Sequence, residues 1–200
     1  MASLTLVHLV RHGESAGNVN PALRRSEDPA LTERGREQAA RAAAAVARRG
    51  VDAILHSPLR RARETAEAIG AACGLPVAPV QGFHEVDMGS LAEAETPQAR
   101  AERERIFQAW LAGDRGRGFP AGEDFEAVVR RVRAALAALV VQASGRIAIV
   151  THRMPIAAAA ALCEPGGAAV VPGGCANGSV TTLEPLEGGR WRLVAWGETA

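Results

Sequence analysis

Residues 4–15 read LTLVHLVRHGES. Leu4 to Val10 is a run of leucine and β-branched side chains, the composition of a strand buried on both faces in a largely parallel sheet. The run stops at Arg11-His12-Gly13. In open α/β sheets ligands bind beyond the carboxyl ends of the strands. A buried strand that hands an Arg and a His to its carboxyl end therefore predicts both a layout and a site.

Outward from this stretch the chain alternates. Asn18 to Ala30 is polar, carries two prolines and reads as a long loop. Thr32 is the predicted N-cap of a helix over Glu33–Arg49, stopped by Gly50. Ala53–His56 follows as a short strand. The next helix carries Pro58 in its first turn and runs to Cys73, with Gly74 as its stop. Val77–Val80 is again a strand. Helix is expected over Arg100–Leu111, a Gly/Arg loop over Gly113–Gly122, and an amphipathic helix over Phe125–Val141, where Val128, Val129, Val132, Leu136 and Leu139 recur at helical spacing. Arg146–Thr151 (RIAIVT) reads as a central strand and Met154–Cys163 as a small-residue helix. Ser179–Leu183 and Arg190–Val194 read as a strand pair turning near Glu187-Gly188-Gly189. Gly166-Gly167 and Gly173-Gly174 punctuate a loop. Alternation of this kind predicts one α/β domain over residues 1–200, with a mostly parallel central sheet flanked by helices.

Composition narrows the chemistry. The 200 residues carry a formal net charge of +1, which argues against a dedicated nucleic-acid binder. With 48% hydrophobic and 22% charged residues the chain can bury a core. Every one of its basic residues is Arg. No Schiff-base lysine and no Walker-type phosphate loop is possible without Lys. Cys73, Cys163 and Cys175 lack CxxC spacing and read as inert buried thiols. No apolar run reaches the roughly 18 residues of a membrane span, and no signal peptide is expected at Met1–Val10. The expected setting is the cytoplasm.

Three strand ends carry candidate groups: Arg11-His12, Ser57 with Arg60, and Thr151-His152. Two guanidiniums and two imidazoles in one crevice suit a phosphoryl dianion. Arg supplies planar bidentate donors, and a neutral imidazole can attack phosphorus. Gly13, lacking Cβ, would let its backbone N–H approach the anion closely.

These residues sit in a recognisable order. LVRHGES resembles the signature of the histidine phosphatase superfamily, the phosphoglycerate-mutase-like branch 1. LTERGREQA (31–39) is similar to the family's LTxxGxxQA, and SPLRRARETA (57–66) to its SxLxRAxxTA. Glu85 and Gly89 resemble its ExxxG element, PAGED (120–124) its PGGES loop, and Val150-Thr151-His152 its hydrophobic-[ST]-His strand end. Asn177-Gly178-Ser179 resembles its Asn-containing turn.

The resemblance implies a phosphoglycerate-mutase-like fold and a metal-independent phosphatase. In that reading His12 is the nucleophile, Arg11, Arg60 and His152 bind the phosphoryl group, Asn18 assists at the pocket edge, and Glu85 is the proton donor. Activity is expected on the acidic side of neutral. A phosphoglycerate-mutase-type transfer and a non-catalytic phosphate-binding protein are the alternatives. The expected partner is a small phosphorylated substrate, with no nucleic acid, membrane or cofactor; oligomeric state is open.

Three departures from the family pattern fall near the substrate. Arg153 follows His152 where Gly is common, and either contacts a second anionic group or points to solvent. Ser90-Leu91-Ala92-Glu93 replaces a WEG-like stretch. The chain is also short of the insertions that mutases carry.

Remaining groups take plainer readings. Ser57 is expected to cap the following helix, His84 to be an exposed loop residue or a pocket-rim group, and Arg61, Arg130, Arg131 and Arg133 to be solvated helix charges. His8 and His56 lack HxH or HExxH grouping, so no metal site is expected.

Overall fold

In a computed structural model of the chain, residues 3–20, 28–164 and 174–199 are described. The backbone forms β1 (Leu4–Arg11), α1 (Ala16–Val19), α2 (Glu33–Arg49), β2 (Ala53–His56), α3 (Arg60–Cys73), β3 (Val77–Pro79), α4 (Pro97–Leu111), α5 (Phe125–Gln142), β4 (Gly145–Thr151), α6 (Arg153–Ala160), β5 (Cys163–Glu164), β6 (Val180–Pro185) and β7 (Trp191–Glu198). The strands make one sheet in the order β3-β2-β4-β1-β6-β7-β5. β3, β2, β4 and β1 run parallel; β6 is antiparallel to both β1 and β7.

Alternation along the central strands builds two cores. Val7 and Leu9 of β1 and Ile147 and Ile149 of β4 pack with the apolar faces of α5 and α6. Val10, Ala148 and Val150 point the other way, against Ala42, Val46, Ala62, Ala66 and Ile69 of α2 and α3. Both faces are covered, which is why the central strands are mostly apolar on both sides.

Predicted boundaries differ from the observed ones for identifiable reasons. Ser15 opens the short helix α1, which runs into the start of the expected loop at Asn18–Val19, and its backbone N–H donates to Asn18 Oδ1; residues 21–27 of that loop lie outside the described residues. Thr96 caps α4, its hydroxyl accepting from Ala99 N, and Pro97 fills the first turn, so the helix starts before Arg100. α6 ends at Ala160 because Cys163–Glu164 pairs with β7 instead. The Gly166-Gly167 pair and Gly173 lie outside the described residues.

The sheet register positions the site. Arg11 pairs with Thr151, and His56 with Val150. The ladder then continues one step past the strand ends: His12 N donates to Thr151 O and Ser57 N to Val150 O, 3.0 and 2.9 Å. His12, His152 and Ser57 are thereby set side by side at one edge of the sheet.

Candidate active site

A cleft of about 470 Å³ opens at this edge, lined by Arg11, His12, Asn18, Arg61, His84, Glu85, Arg153 and neighbours. His12 is buried at its base. Its Nδ1 lies 2.7 Å from the carbonyl oxygen of Gly13. A carbonyl only accepts, so Nδ1 carries the ring proton and Nε2 presents its lone pair. The Nε of Arg61 donates to that Nε2 at 3.2 Å. Two partners thus agree on one tautomer.

His152 is fully buried behind His12, ring centroids 5.0 Å apart. Its Nε2 meets Ser57 Oγ at 2.8 Å. Its Nδ1 is buried and has no hydrogen-bond partner among the described residues. His152 is not itself among the residues lining the cleft. Ser57 corrects its expected role: its Oγ lies 3.4 Å from Leu59 N, a marginal contact, and Leu59 holds the N-cap position of α3. The hydroxyl orients His152.

The expectation for Arg60 is overturned. Its side chain is exposed and its Nε donates to Glu64, one turn on, at 2.7 Å. Arg61, expected at the helix surface, is the guanidinium in the cleft. One residue along α3 is about 100° around its axis, so neighbours cannot share a face. The pattern SxLxRAxxTA, counted from Ser57, also puts its Arg at 61.

Gly13 is needed for a different reason than expected. Its N–H donates to Thr65 Oγ1 at 3.1 Å. A Cβ on Gly13 would stand 2.2 Å from the carbonyl oxygen of Gly35 in α2. The glycine lets the loop after β1 lie directly on the first turn of α2.

Glu85 stands in the cleft on the loop before α4. Its Oε1 accepts from Met154 N at 3.1 Å and Val86 N at 3.0 Å. The loop is held by Thr151, whose Oγ1 donates to Phe83 O, and by Arg131, which donates to Gly82 O and to both oxygens of Glu123. Arg131 is therefore not a solvated charge, although Arg130 is exposed. His84 is half-buried at the cleft wall. Asn18 Oδ1 accepts from Ser15 N and Oγ, which leaves the amide NH₂ end for other partners. Arg11 donates Nη1 to Cys175 O at 2.5 Å, and its buried Nε has no partner among the described residues.

Burial, then the guanidinium of Arg61, holds both His12 and His152 well below the usual imidazole range. Arg11 pushes the same way on each. Both rings are neutral at pH 7. Burial and Arg131 likewise lower His84. The other two histidines are structural: His8 Nδ1 meets Thr182 Oγ1 at 3.0 Å, and His56 Nδ1 donates to Ser57 O at 2.8 Å.

The sequence pattern of the histidine phosphatase superfamily, branch 1, matches residues 7–199. The chain belongs to that superfamily. A probable phosphoglycerate mutase GpmB of Erwinia tasmaniensis is 35% identical over 151 residues, 75% of this chain and 70% of that protein. Its counterpart in Yersinia enterocolitica is 34% identical over the same share. Among solved structures, the mycobacterial glucosyl-3-phosphoglycerate phosphatase in complex with VO3 superposes with a TM-score of 0.83 at 30% identity, covering 98% of this chain and all of that one. Bacillus stearothermophilus YhfR gives 0.81 at 27%, covering 98% of each. This histidine phosphatase is an α/β enzyme with the phosphoglycerate-mutase-like fold. Among the described residues no helix is long and apolar enough to cross a membrane.

Proposed function

We propose that the protein hydrolyses a small phosphomonoester through a phosphohistidine on His12, without a metal. The observation that carries this is the unprotonated Nε2 of His12, at the base of a cleft that also gathers Arg11, Arg61 and Glu85.

Nε2 attacks phosphorus as the ester P–O bond breaks. Arg11 and Arg61 draw off charge on the non-bridging oxygens, the NH₂ end of Asn18 adds a donor at the edge, and His152 supports the phosphoryl group from beneath. Protonated Glu85 delivers its proton to the leaving alkoxide, which would otherwise leave poorly. Two N–H groups occupy Oε1, so Oε2 is the oxygen that carries the proton. In the second half water attacks phosphorus, Glu85 takes its proton, and the P–N bond breaks to release phosphate and neutral His12.

The relatives named above include probable mutases and a phosphatase, so the test must separate the two. Purified protein is given para-nitrophenyl phosphate and small phosphate esters with EDTA present, beside His12→Ala. EDTA-resistant phosphate release that disappears in the variant, with acid-labile phosphate trapped on wild-type His12, supports the hydrolase. Phosphorylation of His12 followed by transfer to a second alcohol rather than water identifies a mutase. Turnover that survives in His12→Ala refutes the reading.

A further inference from the structure

We propose that Arg153 binds a second anionic group on the alcohol half of the substrate, making the cleft selective for phosphomonoesters of anionic alcohols. This rests on the phosphohistidine reading for the direction in which the alcohol leaves.

The geometry of Glu85 sets that direction. The leaving oxygen receives its proton from Glu85, so the alcohol extends past this carboxyl. Glu85 Oε1 is held by the backbone N–H of Met154. The residue immediately before Met154 is Arg153, which lines the same cleft. Its guanidinium lies over the ring of Phe107, 5.9 Å from the centroid. Met88 and Ala92 continue that apolar wall. A guanidinium held over an aromatic ring still offers its N–H donors, in the planar fork that matches a carboxylate or phosphate.

Among the described residues no carboxylate lies within ion-pair distance of Arg153. The acids of the cleft are engaged elsewhere: Asp28 accepts from Arg60 N, Asp87 Oδ1 from Gly89 N, and Glu85 from two backbone N–H groups. Arg11 and Arg61 stand beside His12, where the phosphoryl group binds. Arg153 is the cation at the alcohol end, exposed along the cleft. An ester with an anion near its leaving oxygen engages it; a neutral alcohol leaves it to water.

Two pairs of esters test this. 3-Phosphoglycerate and glycerol 3-phosphate differ by a carboxylate; fructose 1,6-bisphosphate and fructose 6-phosphate differ by a phosphate. The wild type is expected to prefer the anionic member of at least one pair by about tenfold or more in kcat/KM, and the pair that responds says which anion is read. Arg153→Gln is expected to reduce that preference about tenfold, with Arg153→Lys intermediate. Calorimetric binding of the same esters to His12→Ala, with and without Arg153→Gln, gives a readout that needs no turnover. A binding preference that depends on Arg153 but comes with no hydrolysis upholds the inference and sinks the hydrolase. Equal affinity for both members of both pairs, or a preference that Arg153→Gln leaves intact, overturns the inference whatever the turnover.

Discussion

Arg61 Nε sits 3.2 Å from His12 Nε2 and donates its hydrogen to the lone pair that must attack phosphorus. This hydrogen bond masks the nucleophile. An incoming phosphoryl oxygen offers the guanidinium an anionic acceptor in place of a neutral nitrogen, a stronger hydrogen bond. The exchange uncovers Nε2 only when something is there to be attacked. The same residue also keeps the imidazole neutral, since a second positive charge beside Arg61 is unfavourable.

Neighbouring arginines should then behave oppositely. Arg61→Met is expected to lower kcat/KM by about 100- to 1000-fold, the scale of losing a charge-stabilising donor. Arg60→Ala removes an exposed pair with Glu64 and should cost about 0.5 kcal/mol or less, with kcat/KM nearly unchanged. Steady-state kinetics on the two variants decide between them; a larger activity loss in Arg60→Ala would reverse the assignment.

This one-residue correction shows what the sequence held and what it hid. The strands, the cap at Thr32 and the stops at Gly50 and Gly74 were legible because each depends on nearby residues. So was the gathering of His12 and His152, which follows from two buried strands ending in His. The register of α3 was also written in the sequence: Arg60-Glu64 and Arg63-Glu67 are i,i+4 pairs that mark the outer face, and Arg61 shares its face with Thr65. Two adjacent arginines obscured it. The fit of Gly13 on Gly35, the bond from Ser57 to His152 and the wall formed by Phe107 join residues distant in the chain, and local pattern carries no signal for them.

Removing the Ser57 hydroxyl should expose how His152 is held. In Ser57→Ala neither nitrogen of a fully buried ring has a partner among the described residues. The expected cost is about 1–3 kcal/mol in denaturant unfolding. kcat should fall about tenfold, the equivalent of 1.4 kcal/mol, with KM moving less. If Ser57 only caps α3, stability falls by about 1 kcal/mol and kcat is untouched.

Acid should unfold the protein in a window set by its buried histidines. Burial, aided by Arg49 and Arg146, lowers His8 from 6.5 to about 4. The folded state thus resists protonation, and between these values the unfolded chain binds more protons. Stability is fully present above pH 6.5 and drains as pH falls toward 4, by up to about 3 kcal/mol from this residue. His12 and His152 act in the same direction. Urea midpoints should be flat from pH 7 to 8 and fall below 6.5. His8→Val should be less stable at pH 7, because Thr182 loses its partner, yet show a shallower decline in acid. An equal decline in the variant would remove His8 from the account.

The position of Glu85 should depend on a residue that never touches substrate. Arg131 donates to Gly82 O on one side of Glu85 and to both oxygens of Glu123, while Glu123 Oε2 accepts from Asp87 N on the other. Burial alone would raise the Glu123 carboxyl, but the Arg131 and Asp87 hydrogen bonds hold it below its usual value, so the pair is ionised. Arg131→Met frees the loop at both points. The consequence is specific, because proton donation matters for a poor leaving group and hardly at all for para-nitrophenolate. Single-turnover phosphorylation of His12 by glycerol 3-phosphate should slow by about tenfold or more, and by para-nitrophenyl phosphate much less. Glu85→Gln should show the same asymmetry, enlarged. Arg131→Lys should not restore the rate, since one ammonium cannot span Gly82 and both Glu123 oxygens. Equal slowing with both esters would mean that Arg131 supports the fold alone.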